Sequence, residues 1–158
     1  MVGANGLAAW ARYTNTLAEF SGSPIVVARF DRADTLATAR GVLADRADSL
    51  RPYEQVEWVN AEQDAWLMRQ AYEGMLRAVE TQPAPLPAVL LGKTAAARLA
   101  EDCLRRLTRI MGGGTFARHS PFGFWFEDVR ALGYLRPPWG LAYDALIDAT
   151  VRGALAER

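Results

Sequence analysis

The chain has 158 residues, 51% of them hydrophobic and 23% charged, with 18 acidic residues against 18 basic. That length fits one domain with a core of its own, and the balanced charge removes the global field that draws nucleic acid or an anionic membrane. One cysteine, Cys103, and one histidine, His119, exclude an intrachain disulfide and a cysteine-based zinc site.

A metal site would have to rest on carboxylates, and none cluster at suitable spacing, so no metal is expected. The N-terminus lacks the basic-then-apolar pattern of a signal peptide, and no apolar run approaches the ~20 residues of a membrane span. The expected setting is a reducing cytoplasm, with neither membrane nor nucleic acid as partner.

Helical periodicity dominates from the start. Gly6–Phe20 carries Leu7, Trp10, Leu17 and Phe20 and reads as a first helix, stopped by Ser-Gly-Ser-Pro. Pro24–Phe30, "PIVVARF", is a short β-branched run that fits a strand or an extended loop equally well. From about Phe30 to Leu50, Leu36, Ala39, Leu43, Ala47 and Leu50 recur at three- and four-residue steps, which predicts a second helix.

Pro52 separates it from the clearest helix of all, on which Trp58, Ala61, Ala65, Met68, Tyr72, Met75 and Val79 form one stripe. Pro83, Pro85 and Pro87 end that helix. A fourth follows, with Val89, Ala96, Ala100, Cys103, Leu107 and Ile110 on its apolar side, and Cys103 reads as a small core hydrophobe. Gly112–Gly114 stops it as a C-cap would. Ser120-Pro121 then fits an N-cap followed by proline at the first helical position. Pro137-Pro138 closes this shorter fifth helix, and Trp139 to Ala156 forms the last. Long helices with short links predict an all-α fold, an antiparallel four-helix bundle with one additional short helix, in a single domain over 1–158.

Four features invite chemistry. Gly92-Lys93-Thr94 looks like the end of a phosphate loop, but the glycine such a loop needs five positions earlier is Pro87 and no strand leads in, so Lys93 reads as a helix-surface cation. The glycine triplet is either a helix-ending turn or a place where bare backbone N–H groups face a phosphate or flavin. His119 is the default acid–base candidate, though adjacent Arg118 disfavours its protonation and no orienting acid stands at fixed spacing. Phe122–Phe126, "FGFWF", puts four aromatics in five positions. It is either a deep core helix or a helix whose outer side meets another surface, to which Trp139 and Tyr143 would add.

The order of these features resembles the C-terminal region of the acyl-CoA dehydrogenase family. Gly112-Gly113 match that family's double glycine and Phe116 the aromatic after it. Ser120-Pro121-Phe122 match its turn, and Asp128 and Arg130 the end of its Arg-Asp-x-Arg element. "FSGSPI" at Phe20–Ile25 is similar to the family's "FGxPI". The resemblance implies the family's four-helix third domain, without the N-terminal helical and middle flavin-holding domains. It also implies that Gly112, Gly113, Phe116 and Arg109 face flavin. Arg109 stands where the family has glutamine, Glu127 replaces the arginine before the aspartate, and Arg136 followed by two prolines occupies the region of the catalytic glutamate.

Proton abstraction needs a carboxylate base and hydride transfer needs a flavin. The resemblance with these departures therefore implies a subunit without dehydrogenase activity of its own. It would form a homo-oligomer or pair with a flavin-bearing dehydrogenase-like subunit, and would meet FAD only through that partner. The alternative is a flavin-free cyclase, isomerase or lyase that takes an apolar acyl or polyketide-like substrate into a bundle pocket, with His119, Asp128 and Arg118 as its polar groups.

Overall fold

A computed structural model describes residues 32–134 and 137–153, and all regular structure among them is helical. Five α-helices follow one another: α1 (Arg32–Leu43), α2 (Pro52–Thr81), α3 (Leu86–Met111), α4 (Phe122–Leu132) and α5 (Trp139–Ile147). Short 3-10 turns follow α1 at Ala44–Ser49 and α3 at Gly113–Phe116, and a π-turn at Asp148–Arg152 extends α5. The expected first helix, Gly6–Phe20, and the run Pro24–Phe30 lie outside the described residues.

Proline and glycine set the boundaries. Pro52 opens α2, where a missing N–H costs nothing. The N–H of Gln82 donates to the Ala78 carbonyl at 2.9 Å to close that helix, and Val89 reaches back to Pro85 at 3.0 Å to open α3. Pro87 therefore belongs to the first turn of α3, and the prolines that stop one helix also start the next. At α4, the Phe122 N–H points at the Ser120 hydroxyl at 3.4 Å and Trp125 donates to the Pro121 carbonyl at 3.0 Å. Ser120 thus caps the helix that the sequence places after it.

One helix is shorter than expected. The three- and four-residue repeat continues to Leu50, but the α-helix stops at Leu43 and Arg46 leaves helical geometry at φ −125°. Ala47, expected on the buried stripe, is exposed. Beyond the break, the Arg46 guanidinium donates to the carbonyl of Ile110 and, at 3.1 Å, to the Glu54 carboxylate.

The chain divides into two compact units. Among described residues the first comprises 32–69 and Ala96–Leu132, and its core draws on four helices. Leu36 and Ala39 come from α1, Ala61 and Ala65 from α2, Ala100, Cys103, Leu104 and Leu107 from α3, and Phe122 and Val129 from α4. Ala61, Ala65 and Ala100 are small enough to let α2 and α3 approach closely, and the Cys103 thiol reaches the Ala61 carbonyl at 3.4 Å.

The second unit comprises Gln70–Ala95 with residues 133–134 and 137–153. Here Met75 and Val89 pack together with Tyr72, Leu76 and Val79, while Leu90 meets Ala142 and Leu146 of α5. Gly92 is buried against Met75.

Candidate functional site

The turn after α3 is built around one glycine. The Gly112 N–H completes the helix by donating to Thr108 at 2.9 Å, and the residue then adopts φ 78° and ψ −168°. That is not the left-handed helical geometry of an ordinary C-cap but an extended region that only glycine enters cheaply. The Gly112 carbonyl accepts from both the N–H of Thr115, at 3.2 Å, and its hydroxyl, at 2.7 Å. Thr115 is buried, and these two hydrogen bonds fix the turn. Gly113 and Gly114 need no such conformation, since their φ values are not positive and a Cβ would meet nothing. One of the three glycines is required by geometry.

Phe116 leaves this turn 64% exposed. The aromatic cluster behind it is mostly core. Phe122 is buried, Trp125 and Phe126 pack against the same core, and Phe122 and Trp125 meet edge to face at 5.1 Å. Only Phe124 of the four turns outward, also 64% exposed. On α5, Trp139 and Tyr143 stack edge to face at 5.6 Å, and both remain about half exposed.

The acid–base candidates are not drawn together. His119, Arg118 and Asp128 are all exposed. Among the described residues no hydrogen bond or ion pair joins their side chains to one another or to anything else. Glu127 and Arg130 are exposed as well, and Arg136 lies outside the described residues. Arg109 is engaged within the chain, its guanidinium 3.3 Å from the Glu57 carboxylate.

Arg109 belongs to a polar network that the sequence reading missed. Arg106, one turn earlier on α3, holds Asp64 at 2.7 Å through Nε and Glu57 at 2.9 Å through Nη1. All three side chains are at least three-quarters buried, and the hydrogen bond from Arg106 holds the Glu57 carboxyl below its ordinary value. Glu57 and Asp64 stand seven apart on α2 and Arg106 and Arg109 three apart on α3. That pairing of acids on one helix with arginines on the next was visible in the spacing. A second corner joins Arg46, Glu54 and the Arg51 N–H, which donates to Glu54 at 2.8 Å and lowers its pKa.

Lys93 differs from its expected role. It is half-buried rather than a surface cation, its ammonium donates to the Pro137 carbonyl, and burial pulls its pKa below that of a free lysine. Neighbouring Gly92 has a packing reason to be glycine: an added Cβ would collide with Met75. Among the described residues no group of three or more His, Cys, Asp or Glu side chains is arranged to hold a metal. No helix among them is long and apolar enough to cross a membrane.

Fold and site together define a helical protein in which ion pairs from Arg40 to Glu62 and from Arg106 and Arg109 to Glu57 and Asp64 join neighbouring helices. In comparisons with known proteins, no family model, no curated protein and no solved structure matches the chain.

Proposed function

We propose that the chain is a helical subunit of the acyl-CoA dehydrogenase C-terminal type, a four-helix bundle that has no dehydrogenase activity by itself and works in an assembly. In this reading it pairs with a further copy or with a flavin-bearing dehydrogenase-like subunit, in a reducing cytoplasm where Cys103 stays a thiol. One observation carries the proposal. A rigid glycine turn at Gly112 ends α3 and presents Phe116, 64% exposed, immediately beyond it. A large aromatic held outside the core on a fixed turn is suited to cover a flat apolar ring supplied by another chain.

The polar inventory supports the same reading. Arg106 and Arg109 near the end of α3 pair with Glu57 and Asp64, and the acid–base candidates His119 and Asp128 have no orienting partner among the described residues. FAD would then be held chiefly by the partner. From this chain Gly112 would allow close backbone approach, Phe116 would lie against the ring, and Gly113 would leave the turn unobstructed.

The test is co-expression with a flavin-bearing dehydrogenase-like protein, followed by visible spectra and native mass of each purified species. The chain alone is expected to be colourless. The complex is expected to retain flavin, and Phe116→Ala to lower that retention without altering helix content. Flavin bound with turnover by the chain alone would overturn the reading, as would failure of every such protein to associate.

A further inference from the structure

Helix α2 is apolar on two opposite sides, and only one of them faces the core. Between Pro52 and Leu67 the inner side carries Trp58, Ala61 and Ala65. The outer side carries Tyr53, Val56, Val59 and Trp66, exposed by 54%, 60%, 63% and 53%, with Leu67 at its edge. At 3.6 residues per turn the two stripes run about 180° apart. Val56, Val59, Gln63 and Trp66 follow one another at steps of three, four and three, the spacing of a helix seam that seats on another helix.

The charges of this stretch are accounted for. It contains four carboxylates, and each pairs with an arginine of the same chain: Glu54 with Arg46, Glu57 with Arg106 and Arg109, Glu62 with Arg40, and Asp64 with Arg106. None falls on the outer stripe, whose one polar member at the seam is the uncharged Gln63. A nucleic acid or a charged peptide finds nothing to read there. An identical uncharged stripe fits without repulsion, and the net charge of zero adds no long-range penalty between copies.

We infer that this outer face of α2 joins two copies of the chain in a two-fold helix–helix interface. The inference rests on the chain's being a subunit of an assembly and names the surface and the occupant. Antiparallel pairing sets Val56 of one copy against Trp66 of the other and Val59 against Gln63, so one patch serves both sides. The exposed parts of these side chains amount to about 500 Å² per copy, so complete burial of both stripes comes to about 1,000 Å², the lower bound for a specific interface.

The test is the solution mass of the full chain by light scattering or sedimentation, with circular dichroism as the folding control. The wild-type chain is expected at twice its 17.4 kDa mass. Val59→Glu combined with Trp66→Glu is expected at one chain mass with unchanged helix content. Gln63→Glu, at a position already polar and exposed, leaves folding intact and is expected to weaken self-association at least tenfold, an effect salt relieves. A monomeric wild type would overturn the interface, and so would a double mass retained in the Val59/Trp66 and Gln63 variants. The flavin reading fails separately: a pair that dissociates with these substitutions, yet never retains flavin with any partner, removes that reading and leaves the interface standing.

Discussion

A Cβ added to Gly92 would collide with Cγ of Met75 and lie 3.1 Å from the carbonyl oxygen of Ala71. α3 therefore packs closely on α2 here, and a side chain at this position would have to displace Met75. Gly92→Ala is expected to destabilise the protein by about 1–3 kcal/mol despite the better helix propensity of alanine. Gly74→Ala is the control. It lies within α2 with open space around it, and gains about 1 kcal/mol from propensity alone. Opposite signs for one substitution in two denaturant titrations would verify the close crossing; equal signs would refute it.

The glycine turn makes a similar contrast. Gly112→Ala forces a Cβ into φ 78°, ψ −168° and is expected to cost about 1–3 kcal/mol. Gly113→Ala meets neither strain nor crowding and is expected to change stability by no more than about 0.5 kcal/mol. Thermal melts of the two variants separate a turn that depends on one glycine from one that depends on all three.

Arg106→Ala leaves Asp64 and Glu57, both mostly buried, without their shared donor. With allowance for screening at the partly open side, the expected loss is about 1–2 kcal/mol. Arg106→Lys is expected to recover only part of it, because one ammonium cannot present the planar fork that reaches both carboxylates. Full recovery with lysine would show that charge, not geometry, matters at this site.

Acid pH acts on the same groups. Hydrogen bonds from the Arg106 guanidinium and the Arg51 N–H hold Glu57 and Glu54 below the ordinary 4.5 in the folded state. The unfolded chain then binds protons first as pH falls, so the stabilisation is complete above 4.5 and is lost through the lower folded values. The unfolding midpoint is expected to decline below pH 4.5. In Glu54→Gln/Glu57→Gln that decline is shallower, because glutamine binds no proton in either state and the two groups no longer contribute to the slope. A parallel pair of pH profiles would contradict this assignment.

His119→Ala and Asp128→Ala touch exposed side chains with no partner among the described residues. Each is expected to leave stability within about 0.5 kcal/mol of the parent. If either abolished a turnover activity of the chain alone, the flavin-free enzyme would become the better account.

Much of the helical plan is legible in the chain because α2 and α3 keep one apolar face in register over many turns, and proline marks their ends. Leu107 and Ala39 needed only that periodicity to be placed inside. The premature end of α1 is not legible, since the repeat runs on to Leu50 in sequence while Arg46, beyond the helix end, meets Ile110, 64 residues away. Nor is the role of Gly92: Pro87 excludes a phosphate motif in the sequence, but the packing of Gly92 against Met75 shows only in the fold.

The candidate site is legible only as chemistry. Arg118, His119 and Asp128 have the right functional groups, but burial and mutual orientation depend on tertiary placement, which their neighbours in sequence do not encode. Arg106 was passed over for the opposite reason: a charged residue on a helix reads as solvent-facing until the acids on the adjacent helix are counted.

Cys103 turns the α2–α3 contact into a clock. Its thiol, 1% exposed, is the only one in the chain and is held against the Ala61 carbonyl. A thiol reagent can reach it only when the two helices part, so the labelling rate of the unmodified protein reads the opening of that seam directly. The chain thus carries its own reporter of local breathing, one that needs no engineered probe and falls silent when the core is shut.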